Sequence, residues 1–129
     1  MFEATAAFSG FSVDDLAKAK KFYTETLGLK IDDEGVGMKL HLPGGCTVFA
    51  YPKNNHQPAS FTILNFKVDN IDAAVDELTN RGVRFEHYDG ALKTDERGVL
   101  RGKAQNLGPD IAWFKDPAGN FLSVLEDGN

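Results

Sequence analysis

The sequence contains one cysteine, Cys46, so no internal disulfide can form and a small disulfide-stapled scaffold is excluded. No apolar run approaches the roughly 20 residues of a membrane-spanning helix. Positive charge is scarce too: 14 Lys and Arg stand against 19 Asp and Glu, a net charge of −5 that argues against a nucleic-acid groove. The opening Met1-Phe2-Glu3-Ala4 lacks a basic stretch followed by an apolar one, so no signal peptide is expected. These absences predict a cytoplasmic protein with neither nucleic-acid nor membrane partners. What is abundant is aromatic: ten Phe, three Tyr and one Trp in 129 residues. That length suits one ordinary domain whose core needs no staple.

An internal repeat organises the chain. Phe11, Val13 and Asp14 align with Phe66, Val68 and Asp69, an offset of about 55 residues that marks a duplicated module rather than a solenoid. Each alternating segment runs into a helical pattern, Leu16, Ala19, Phe22, Tyr23 and Leu27 in the first, Ile71, Ala74, Val75 and Leu78 in the second. Asp15 and Asn70 stand where an N-cap is wanted, and Gly28 and Gly82 where a left-handed C-cap needs a residue without Cβ. Strand patterns follow at Leu29–Asp32, Met38–Leu42 and Thr47–Tyr51, and again at Val83–Tyr88, Asp110–Lys115 and Asn120–Leu125. Pro43-Gly44-Gly45 and Asp116-Pro117-Ala118-Gly119 supply the matching turns. The expected layout is a single α+β domain over residues 1–129, with module one at about 5–52, a polar linker at 52–60 and module two at about 61–127. Gly90–Gly108 has no counterpart in module one and reads as a long loop, either a lid or a mobile insertion.

Few residues carry chemistry by pattern alone. His41, His56 and His87 fall at no metal-ligand spacing, and no cysteine pair exists. Cys46 has no positioned base, and no Ser-His-Asp order or phosphate-cradling glycine loop is evident. Asp116 reads as the cap of its own turn.

Three stretches resemble the vicinal-oxygen-chelate superfamily of glyoxalases, bleomycin and fosfomycin resistance proteins and extradiol dioxygenases. They are Gly10-Phe11-Ser12-Val13-Asp14-Asp15 leading to Phe22-Tyr23 and Leu27-Gly28, Val68-Asp69-Asn70-Ile71-Asp72 leading to Arg81-Gly82-Val83, and Trp113-Phe114-Lys115-Asp116-Pro117-Ala118-Gly119-Asn120. The resemblance implies tandem βαβββ modules forming a half-open, barrel-like mixed sheet with a helix outside each module. It also implies a homodimer. Catalytic members hold a divalent ion through the first and last strands of each module, positions taken in this chain by Phe8, Phe49, Ile63 and Ser123. A catalytic metal needs about three protein donors, so no metal and no other cofactor is expected.

Strand parity then gives a candidate cavity. Phe11, Val13, Leu64, Phe66 and Val68 belong to the helix side, leaving Phe8, Gly10, Ser12, Ile63, Asn65 and Lys67 on the other. The same counting adds Lys39, His41, Thr47, Phe49, Tyr51, Trp113, Phe121 and Ser123. A face so rich in rings with a few polar groups suits a small, partly aromatic or apolar guest. Three functional readings stay open: metal-free binding or sequestration, a lyase, isomerase or dioxygenase with displaced ligands, and a structural or regulatory dimer whose rings fill a second core.

Overall fold

Asp15 and Asn70 both cap helices. Asp15 Oδ1 accepts from the Lys18 N–H at 3.0 Å, and Asn70 Oδ1 accepts from the Ala73 N–H at 2.9 Å. The computed structural model describes residues 2–127. Helix α1, Leu16–Lys21, continues as a π-helical turn, Phe22–Thr26, and buries Ala19 and Tyr23. Helix α2, Ile71–Asn80, buries Ile71 and Val75. Both stop as their glycines require, with φ at +71° for Gly28 and +94° for Gly82, a region that side chains with a Cβ disfavour.

The chain divides into two compact units between Pro58 and Ala59, within the polar Pro52–Ser60 segment. In the first, β1 (Ser9–Val13), β2 (Lys30–Glu34), β3 (Gly37–His41) and β4 (Thr47–Pro52) form a sheet in the order β1-β4-β3-β2. In the second, β5 (Thr62–Lys67), β6 (Val99–Arg101), β7 (Asp110–Lys115) and β8 (Phe121–Glu126) form a sheet in the order β5-β8-β7-β6. The first strand of each unit runs parallel to the last, and the remaining pairs are antiparallel. Each unit is therefore a βαβββ module built on an open four-stranded sheet. Phe11, Val13, Met38, Leu40, Val48 and Ala50 form the first core with Ala19 and Tyr23, and the Phe11 and Tyr23 rings stand 5.9 Å apart. Leu64, Ile71, Val75, Val99, Ala112, Phe114, Leu122 and Val124 form the second.

Module two departs from the expected strands. Val83–Tyr88 makes only a single bridge, Phe85 to Phe114, and the strand proper is Val99–Arg101, inside the segment read as a loop. The reason is that two short segments share one edge of β7. Phe85 takes its Phe114 end, and β6 takes the end from Asp110 to Ala112. Val99 and Leu100 are buried, so this part of Gly90–Gly108 is neither a free lid nor a loose insertion.

An ionic cluster holds β6 to α2. Asp95 Oδ1 accepts from the N–H groups of Arg97 and Val99, both at 2.9 Å. Arg101 forks onto Asp72 at 2.7 and 3.2 Å and reaches Asp95 at 3.1 Å, while Arg97 bonds Asp72 at 3.0 Å and also pairs with Asp76. The hydrogen bond from Arg101 holds the Asp72 carboxyl below its ordinary range; burial opposes it, and the charges of Arg101 and Arg97 add to the lowering. Burial pushes Asp95 up, but the backbone donors and Arg101 together outweigh it. A carboxyl depressed in the folded state stabilises fully above its unfolded value, about pH 4, and that contribution fades as pH falls through the lower folded value. Asp72→Asn is thus expected to lower the melting temperature at pH 7 and to lose less on acidification to pH 3 than the parent. The Asp72 side chain is half exposed, so the effect stays within about 1 kcal/mol. Parallel acid melts for parent and variant would contradict this.

Candidate functional site

In the first unit, β3 and β4 alternate as their pairing requires. Ser12 lies opposite Tyr51, Lys39 opposite Phe49 and His41 opposite Thr47, all on the face away from Phe11 and Val13. The Phe49 and Tyr51 rings are nearly parallel, 6.0 Å apart at 19°. His41 Nε2 stands 2.7 Å from Asp32 Oδ2, and that bond holds Asp32 below its ordinary range; Lys39 pairs with Glu34 at 3.1 Å. Ser12 Oγ shares a 2.7 Å hydrogen bond with His56 Nδ1, which draws the linker histidine onto β1. Phe8 falls outside the strand on which parity placed it. The β1–β4 ladder begins at Ser9 opposite Val48, one residue after β4 itself begins, and Phe8 is 72% exposed.

In the second unit, a β-bulge corrects the parity of Ile63. Thr62 pairs with Phe121 and Leu64 with Leu122, so two steps along β5 match one along β8 and Ile63 is the extra residue. Thr62 takes the place expected for Ile63, and its Oγ1 accepts from Trp113 Nε1 at 3.2 Å. Beyond the bulge, Asn65 pairs with Ser123, and the fully buried Ser123 hydroxyl donates to Asn65 Oδ1 at 2.6 Å.

Trp113 and Phe121 come together in a cavity of about 420 Å³. Its other walls are Ser60, Phe61, Thr62, Tyr88, Asp89, Ala91 and Leu92, none of which parity singled out. The Tyr88 ring meets Trp113 edge-on at 5.7 Å and 81°. Its backbone is fixed on Thr94: the Tyr88 N–H donates to Thr94 Oγ1 at 2.8 Å, and the Thr94 N–H returns to the Tyr88 carbonyl at 3.0 Å. The Tyr88 phenol is pushed up by burial and by the Glu86 carboxylate. Phe61 and Leu92 are both more than half exposed. An exposed Phe61 closing a polar linker was the one available signal for this wall; Tyr88 and Leu92 arrive from a distant segment with no local pattern.

A divalent ion is not served by these residues. Phe8, Phe49 and Ile63 end in hydrocarbon, and the Ser123 hydroxyl is occupied by Asn65. Among the described residues no group of three or more His, Cys, Asp or Glu is placed to hold a metal. No helix among them is long and apolar enough to cross a membrane.

A family model described as Glyoxalase/Bleomycin resistance protein/Dioxygenase superfamily matches residues 6–124. Among solved structures, the chain is similar to TnmS3, an antibiotic-binding protein from Streptomyces sp. CB03234, at 26% identity and a TM-score of 0.66, over 98% of this chain and 100% of that one. It is similar to an integron cassette protein from the mobile metagenome of the Halifax Harbour sewage outfall at 22% identity and a TM-score of 0.68, covering 95% and 99%. The fosfomycin resistance protein FosX of Listeria monocytogenes shares the fold at 11% identity and a TM-score of 0.68, covering 98% and 96%. No curated protein matches the sequence. With a family match spanning almost the whole sequence and a βαβββ module in each half, this chain belongs to the Glyoxalase/Bleomycin resistance protein/Dioxygenase superfamily.

Proposed function

We propose that the chain binds a small, partly aromatic or apolar molecule in the cavity of its second unit, sequestering or carrying it without a metal. The observation that carries this reading is the wall of Trp113, Phe121, Tyr88, Phe61 and Leu92 around about 420 Å³, with Thr62, Ser60 and Asp89 as polar contacts. Mostly apolar walls with a few placed polar groups, at a few hundred cubic ångströms, are what small-molecule sites require. The antibiotic binding of TnmS3, of the same fold and 26% identical, supports a binding role.

Trp113 is the sole tryptophan, so intrinsic emission reports on this cavity alone. A panel of planar aromatic compounds is expected to quench or shift that emission. Phe121→Glu should weaken binding of the uncharged compounds more than tenfold, because it sets a carboxylate against an apolar ring. Asp127→Asn, an exposed change just beyond the end of β8 opposite to Phe121, should leave binding unchanged. Unaltered Trp113 emission across the panel, with the indole shielded from acrylamide, would mean that the rings are core and would overturn the proposal.

A further inference from the structure

The same cavity carries a carboxylate, and its placement bears on the guest's charge. Asp89 lines the cavity beside Tyr88, and no Lys, Arg or His among the described residues pairs with it. Lys115, on the strand that carries Trp113, is held by Phe121 and Glu86: its Nζ lies 5.1 Å from the Phe121 ring centroid and 3.8 Å from Glu86 Oε1. Two features follow. The Phe121 ring accepts the Lys115 ammonium, and the Trp113 and Tyr88 rings lining the cavity are electron-rich groups of the same kind. A wholly apolar guest, in contrast, would seat hydrocarbon against Asp89 and strip it of water without compensation. An anionic guest would be repelled by Asp89.

We propose that the guest is an organic cation, an ammonium or similar group on an apolar or aromatic body, with its charge at Asp89 and its body among Trp113, Tyr88 and Phe121. This rests on the binding reading above and names its ligand class. Rings supply the bulk of the contact, and the carboxylate selects the charge. Cation–π contacts with a nearby counter-charge correspond to a preference of roughly tenfold over a neutral guest of equal shape.

The test uses two probes of nearly the same shape, phenyltrimethylammonium and its uncharged isostere tert-butylbenzene, each titrated against Trp113 emission. The parent protein is expected to bind the cation about tenfold more tightly. Asp89→Asn should bring that ratio below threefold and leave tert-butylbenzene binding equal or tighter; Asp89 is exposed, so the variant keeps its fold. High salt should weaken the cation alone. Equal affinities in the parent, or a ratio untouched by Asp89→Asn, would overturn the charge proposal while leaving aromatic binding standing. If neither probe moves Trp113 emission, both proposals fall together.

Discussion

Asp116→Ala is expected to destabilise the protein by about 3–5 kcal/mol, read as a fall in the urea midpoint at unchanged slope. Asp116 is only 4% exposed and serves as acceptor for the whole turn between β7 and β8. Its Oδ1 takes the N–H groups of Ala118 and Asn120, both at 2.9 Å, and its Oδ2 takes the Asn120 side-chain amide at 3.1 Å. Asn120, itself 2% exposed, passes the connection on, since its Oδ1 accepts from the Ala59 N–H at 3.1 Å. Alanine would remove one acceptor group from three buried donors at once, and each buried group left without that partner costs about 1–3 kcal/mol. Asp116→Asn keeps the shape and one carbonyl for the two backbone donors but turns an amide towards the Asn120 amide. Its loss should be smaller, about 1–2 kcal/mol. An alanine variant within about 1 kcal/mol of the parent would show that the turn is held by its Pro-Gly backbone alone.

The features legible in the sequence were those fixed by local chemistry. A cap needs a short side-chain acceptor just before the helix, and Asp15 and Asn70 are that; a left-handed stop needs Gly28 and Gly82. Alternation along β3 and β4 was legible for the same reason, because Met38, Leu40, Val48 and Ala50 are buried and, apart from Gly37 at the start of β3, their neighbours are not. What stayed hidden was non-local. A bulge at Ile63 changes no composition, yet it exchanges Ile63 for Thr62 beside Trp113. Strand β6 is three residues long, too short for a period-two pattern, and exists because β7 has a free edge there. Tyr88, Asp89 and Leu92 form a cavity wall because Phe85 and Glu86 dock on β7, a contact that no spacing within 83–92 announces. The Ser12–His56 hydrogen bond likewise joins a strand to a linker 44 residues away.

Gly37→Ala should cost about 3 kcal/mol, although alanine differs by a single methyl and the position has no left-handed backbone to protect. Gly37 opens β3 and is buried. A Cβ there would lie 2.4 Å from the Ala50 carbonyl oxygen, 2.7 Å from Phe49 Cζ and 3.0 Å from Phe49 Cε1. The two obstacles differ in kind. The Phe49 ring, which lies across Gly37 and parallel to Tyr51, can swing aside on its χ angles. The Ala50 carbonyl cannot, because β4 is an inner strand held between β1 and β3. Removing the ring in a Gly37→Ala/Phe49→Ala double variant should therefore recover less than half of the loss, once the separate cost of Phe49→Ala is subtracted. Full recovery would place the whole conflict on the ring and leave the carbonyl contact without energetic weight. With Phe49 retained, the added methyl should also push its ring away from Tyr51. The open face of the first unit would then lose its aromatic pair even in the molecules that remain folded, so the glycine sets the posture of that face as well as its stability.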